Sequence, residues 1–248
     1  MALDNLRLIA TYVLFPVLAT ILGGIIATFR IPGPRLSSAI QHFAAGAVFA
    51  AVASELLPQI SAEHNNLAVV LGFTAGVALM LGTKWFLERM VGRAAHGPAA
   101  AGEGAPGART TGLVVTVAID VLIDGLLIGV GFAAGEEVGI LLTVALTLEL
   151  LFLGLSVAAA LAEEERPRPN IIATVAGLGV LVLLGAVFGA LALSNLAGAW
   201  LATVLSFGAA ALLYLVTEEL LIEAHEREDT PWVTALFFVG FLAIFILH

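Results

Sequence analysis

Long apolar runs separated by short polar breaks dominate this chain. A helix that crosses a bilayer needs about 20 apolar residues. Eight segments have suitable length and character: 7–29, 36–59, 66–91, 111–134, 138–162, 170–194, 197–224 and 231–247. Prolines fall at several breaks, with Pro32 and Pro34 after the first run and Pro58 at the end of the second. The pattern predicts an all-α integral membrane protein with eight transmembrane helices.

Composition supports the membrane assignment. The chain is 60% hydrophobic and only 12% charged, whereas soluble domains carry about 25% charged residues. It has no cysteine, which excludes disulfides and thiolate metal sites. The net charge of -9 leaves no basic surface for nucleic acid. We expect one transmembrane domain, residues 1–248, whose main partner is the lipid bilayer.

The basic residues predict the orientation. Most of them flank the breaks that follow the odd-numbered spans. Examples are Arg30, Arg35, Arg166, Arg168 and Arg227. Because basic loops stay in the cytoplasm, both termini are expected outside. Residues 92–110, rich in Gly, Ala and Pro, are expected to form a flexible cytoplasmic loop. The predicted location is the bacterial plasma membrane, crossed several times.

Three acids lie deep inside apolar runs that contain no other ionisable residue. Asp120 and Asp124 belong to the fourth span and Glu149 to the fifth. Residues four apart share a helix face, and the short turn between these spans makes them antiparallel neighbours. The three carboxylates are therefore expected to meet near the membrane midplane. Since neither run holds Lys or Arg, a bound cation would supply the positive charge. The alternative is that protonated acids hydrogen-bond neighbouring helices as packing contacts.

Oxygen-only ligands favour hard or borderline dications such as Mg²⁺, Mn²⁺, Ca²⁺ or Fe²⁺. Neighbouring acids repel each other, so they are expected to share a proton that metal binding would release. Metal movement would then depend on pH.

Acids nearer the span ends suggest a path for the cation. Glu55, beside Ser54 near the outer end of the second span, is a candidate entrance residue. A candidate exit lies at the inner end of the seventh span and consists of Glu218, Glu219, Glu223 and His225. His42, near the start of the second span, is better explained as a hydrogen-bonded structural histidine than as a metal ligand.

Residues 119–129 read Ile-Asp-Val-Leu-Ile-Asp-Gly-Leu-Leu-Ile-Gly. They resemble the fourth span of the ZIP (Zrt/Irt-like) metal transporters, whose pattern is His-Asn-x-x-Glu-Gly. Segments 149–156, 54–58 and 217–225 resemble the fifth span and the ends of the second and seventh. The resemblance implies a ZIP-like bundle in a 3+2+3 arrangement, with inverted repeats around spans four and five. It also implies alternating access and, often, a homodimer.

Departures from the family pattern concern the metals. ZIP transporters commonly hold two adjacent metals, but Val121, Leu150 and Leu153 occupy positions of possible ligands, and Val182 stands where a sixth-span acid can occur. The chain is thus expected to be a divergent member that lacks the second metal site. The remaining site has no imidazole, and the long loop has a single histidine, His96. Mn or Fe is favoured as the transported ion, Zn remains open, and Cd would serve as a surrogate.

The predicted function is transport of a divalent cation through one carboxylate-lined midplane site. The alternative is a ZIP-like metal-binding or sensor protein that does not transport. An enzyme is not expected, because Asp120 and Asp124 share one helix face, whereas intramembrane aspartyl proteases use acids from different helices. The zinc-protease pattern His-Glu-x-x-His is also absent from the sequence.

Overall fold

The computed structural model describes residues 2–30, 33–95, 106–193, 198–225 and 230–247. These residues form helices joined by short connections. In chain order the helices are α1 (Ala2–Phe29), α2 (Pro34–Ala51), α3 (Leu57–Ala62), α4 (Asn66–Ala95), α5 (Pro106–Ala134), α6 (Glu136–Glu163), α7 (Arg168–Leu193), α8 (Ala199–Tyr214), α9 (Leu221–His225) and α10 (Pro231–Leu247).

Seven helical segments in the described ranges are long and apolar enough to cross a membrane, and α10 provides a shorter apolar helix. Large apolar side chains face outward along the bundle, including Leu18, Phe29, Phe188, Phe238 and Ile246. Such a surface suits contact with lipid, and helices satisfy their backbone hydrogen bonds internally. The prediction of a helical, multi-pass membrane protein is confirmed.

Two spans contain a π-helical turn. Val52–Leu56 joins α2 to α3, and Leu215–Leu220 joins α8 to α9. The expectation that Pro58 ends the second span is wrong, because the helix continues through it to Ala62. Pro58 follows the π-helical turn and occupies the first turn of α3, a position where proline's missing N–H is tolerated.

The helices pack in two groups. In the first, α1 lies against α6 and α7, and α5 lies against α6 and α7. In the second, α2 lies against α10 and α4 against α8. Helix α6 also contacts α2, so α6 links the two groups.

Glycines allow close backbone contact in three helix pairs: α5 with α7, α1 with α6, and α2 with α10. A Cβ atom on Gly125 of α5 would overlap the Val182 carbonyl of α7, and one on Gly185 of α7 would overlap the Leu122 carbonyl of α5. The same reciprocal arrangement joins α1 to α6 through Gly23 and Gly154. It joins α2 to α10 through Gly46 and Gly240. Small residues at these contacts allow the close helix packing typical of membrane bundles.

Both ends of the predicted loop 92–110 are helical in the structure. Helix α4 continues to Ala95 and α5 begins at Pro106. Residues 96–105, with His96 among them, lie outside the described residues.

Candidate metal site

Three carboxylates meet between α5 and α6. Helix α5 carries Asp120 and Asp124, and α6 carries Glu149. One oxygen from each carboxylate lies within 4.8 Å of the other two. Only Gly135 separates the two helices in the chain, so they run antiparallel and side by side. The structure therefore brings together all three residues that the sequence assigned to one site.

The site is enclosed by apolar helix surfaces. Asp120 is 8% exposed, Asp124 1% and Glu149 0%. On α6, the neighbouring side chains Leu146 and Leu150 are fully buried. Three acids thus sit in an environment that strongly disfavours uncompensated negative charge.

The deepest carboxylates accept few hydrogen bonds. Within the described part of the chain, neither oxygen of Glu149 has a hydrogen-bond partner, and Asp124 Oδ2 has none either. Buried polar atoms in proteins are normally paired. The packing-contact alternative needs hydrogen bonds from neighbouring helices to these oxygens, so the geometry favours cation binding.

A fourth acid approaches the site from the other helix group. Glu219 lies in the π-helical turn after α8, is half-buried, and interacts electrostatically with Asp124 and Glu149. The sequence predicts Glu219 only at the cytoplasmic exit. Its approach to the deep acids depends on how α8 packs, which the apolar pattern of the sequence does not predict.

Lys84 of α4 contacts the predicted exit acids. Its Nζ lies 3.4 Å from Glu218 Oε2, and the two side chains are 47% and 45% exposed. Lys84 also interacts electrostatically with Glu219. The sequence does not indicate this pairing, because 134 residues separate Lys84 from Glu218.

The predicted entrance residues lie in the other π-helical turn. Glu55 is buried, and Ser54 is half-buried with its hydroxyl donating to the Ala50 carbonyl at 2.8 Å. Glu55 and Glu219 thus occupy π-helical turns in the second and seventh spans. Such turns occur frequently at functional sites.

The remaining exit residues lie on α9. His225 is exposed, and its ring lies against that of His42 on α2. The side chain of Glu223 lies outside the described part of the structure. The predicted exit histidine therefore lies against His42, for which the sequence predicts a structural role.

The apolar residues that stand at possible ligand positions of a second metal pack in the core. Val121 and Leu150 are fully buried, and Leu153 packs against the same core. Among the described residues, the three acids form the one group of three or more possible metal ligands.

Comparisons of the chain with protein-family models and with curated proteins find no match.

We expect the core between α5 and α6 to hold one Mn²⁺ ion, because the apolar side chains beside the acids cannot ligate a second. Anomalous scattering from Mn²⁺-soaked crystals would count the ions and identify their ligands. An Asp124→Asn variant serves as the control and should lose the peak. Two Mn²⁺ peaks bonded to these two helices would contradict the expectation.

Proposed function

We propose that this protein transports a divalent cation across a membrane through the site formed by Asp120, Asp124 and Glu149. The observation that carries the proposal is the meeting of three buried carboxylates. Among the described residues, both oxygens of Glu149 and Oδ2 of Asp124 have no hydrogen-bond partner. Acids at membrane depth are costly and usually mark an ion or proton path. A dication offsets most of their negative charge.

The spacing and chemistry of the ligands support Mn²⁺ or Fe²⁺ as the transported ion. Oxygens on opposite sides of a metal with bonds of about 2.0–2.5 Å lie about 4–5 Å apart. The three carboxylate oxygens fall within 4.8 Å of one another. Oxygen ligands suit hard and borderline dications. Zn²⁺ is a third candidate substrate, and Cd²⁺ is a useful surrogate in experiments.

The proposed topology has eight spans in a 3+2+3 arrangement, with both termini outside the plasma membrane. An inverted repeat would exchange the first three spans with the last three and the fourth with the fifth. Such a repeat would relate the contact between α1 and α6 to the contact between α7 and α5. It would also relate the contact between α2 and α10 to the contact between α8 and α4. All four contacts occur in the structure. The repeat would also relate the two π-helical turns. These correspondences support the resemblance to ZIP transporters.

Alternating access would move one helix group against the other. The group of α1, α5, α6 and α7 holds the three acids, whereas Glu219 belongs to the group of α2, α4, α8 and α10. A cation leaving the deep site would therefore pass an acid that lies across the boundary between the groups. A conducting path needs such sites, which attract the ion and still release it.

Flux in sealed vesicles tests the proposal. Purified protein reconstituted into vesicles should carry Mn²⁺ down its gradient to a trapped fluorescent indicator, and the Glu149→Gln variant should not. Mn²⁺ binding in detergent is measured on the same preparations. Binding without flux would reject transport and favour the alternative of a metal-binding or sensor protein.

Glu219→Gln is expected to slow release more than it weakens binding, because Glu219 interacts electrostatically with Asp124 and Glu149 but does not belong to the group of three ligands. Mn²⁺ affinity should fall by less than about tenfold, equivalent to about 1.4 kcal/mol, while flux per bound ion falls further. Equilibrium dialysis and vesicle flux on one preparation measure the two effects.

Glu218→Gln is the matched control for that variant. Glu218 is the adjacent acid, and its exposed pair with Lys84 contributes little energy, so flux should change little. If Glu219→Gln abolishes affinity while flux per bound ion stays normal, Glu219 belongs to the primary site.

A further inference from the structure

Two histidines meet where α2 and α9 pack together. His42 on α2 is 1% exposed, and His225 on α9 is exposed. Their ring centroids are 5.0 Å apart, with an angle of 61° between the ring planes. One imidazole is thus held in the protein interior while the other faces the surface.

Backbone hydrogen bonds define the tautomer of each ring. His42 Nδ1 lies 2.9 Å from the Ser38 carbonyl oxygen, and His225 Nδ1 lies 2.5 Å from the Leu221 carbonyl oxygen. Because a carbonyl oxygen only accepts hydrogen bonds, each Nδ1 must donate. In the neutral rings, Nε2 then carries the lone pair. Histidines that bind metals are typically oriented by this kind of bond from the other ring nitrogen.

Ser38 ties together the two segments that carry the rings. Its hydroxyl donates to the Ala224 carbonyl at 2.9 Å, next to His225 in the chain, while its own carbonyl accepts from His42. The same residue therefore orients one imidazole and anchors α9, which carries the other.

We propose that His42 and His225 form a second cation site that binds a borderline dication such as Co²⁺, Ni²⁺ or Zn²⁺. Metal–nitrogen bonds of about 2.0–2.1 Å in a tetrahedral arrangement place two imidazole centroids about 5 Å apart, which agrees with the observed separation. Water completes the coordination on the exposed side.

The two proposed sites differ in chemistry. Imidazole suits Zn, Ni, Co and Cu, whereas carboxylates suit Mn and Mg. Mn²⁺ is therefore expected to bind at the three acids, and Co²⁺ is expected to bind at both the three acids and the two histidines. The imidazole site does not depend on the carboxylate site, because the two share no residue.

Co²⁺ binding to protein without a histidine tag tests the proposal. In the triple variant Asp120→Asn, Asp124→Asn and Glu149→Gln, we expect one Co²⁺ per chain by equilibrium dialysis, with an absorption spectrum that shows nitrogen ligands. Adding His225→Ala should weaken this binding at least about tenfold. His225 is exposed, so its replacement should not prevent folding.

His64→Ala in the triple variant is the matched control. His64 is also exposed, and its Nδ1 lies 2.6 Å from the Ala62 carbonyl oxygen, but it lies between α3 and α4 and not on α2 or α9. Its replacement should leave Co²⁺ binding unchanged. The proposal is overturned if the triple variant binds no Co²⁺, or if His225→Ala binds it as well as the parent does.

Mn²⁺ binding separates the two proposed sites. In the triple variant, Mn²⁺ binding should be lost while Co²⁺ binding remains. Loss of binding of both ions in that variant would show that the imidazoles and carboxylates form one site and would overturn a separate imidazole site. Absence of Mn²⁺ binding in the parent would instead reject the carboxylate site.

Discussion

Glu149→Gln should reduce Mn²⁺ affinity and uptake by at least about 100-fold, since loss of even an outer-shell partner of a metal ligand costs about 10–100-fold. The amide keeps the size of the side chain and removes its charge. Glu149 is fully buried, and both of its oxygens lack hydrogen-bond partners in the described structure. The metal-free variant should therefore fold and resist heat at least as well as the parent, because an isolated buried charge is destabilising.

Vesicle uptake, detergent binding and thermal unfolding measure these three effects. Glu137→Gln is the matched control, because Glu137 is an acid at the start of the same helix and is exposed. It should retain uptake and affinity. Asp120→Asn and Asp124→Asn are expected to behave like Glu149→Gln. Normal uptake in all three variants would support the packing-contact alternative.

Gly125→Ala should destabilise the bundle by at least about 3 kcal/mol, the upper end of the usual cost of an overpacked core. A Cβ atom here would overlap the Val182 carbonyl oxygen, and a backbone carbonyl cannot move aside as a flexible side chain can. Helix α5 would have to separate from α7, which would also displace the neighbouring Asp124. We expect a large fall in Tm in detergent and loss of Mn²⁺ binding.

Gly177→Ala on α7 is the matched control for this effect. A Cβ atom at Gly177 meets no atom within 4 Å, and alanine favours a helix by about 0.5–1 kcal/mol over glycine. Its Tm should stay constant or rise slightly. Equal losses of Tm in the two variants would show that the contact between α5 and α7 is not the cause.

Much of the membrane architecture followed from the sequence. In lipid, a backbone must satisfy its own hydrogen bonds, so apolar runs of sufficient length form helices. The final run, 231–247, coincides with α10. The meeting of Asp120, Asp124 and Glu149 was also predictable, because it needs only the four-residue spacing on one helix and a short antiparallel turn.

The contacts around those acids were decided by tertiary structure. Glu219 interacts electrostatically with the deep acids, and Lys84 pairs with Glu218, because α8 and its π-helical turn pack in one particular orientation. The pairing of His42 with His225 likewise depends on how α9 docks against α2. Side-chain direction changes by about 100° per residue on a helix with 3.6 residues per turn, and a π-helical turn shifts that register. Apolar periodicity predicts that a helix forms, but only packing determines which distant side chains it meets.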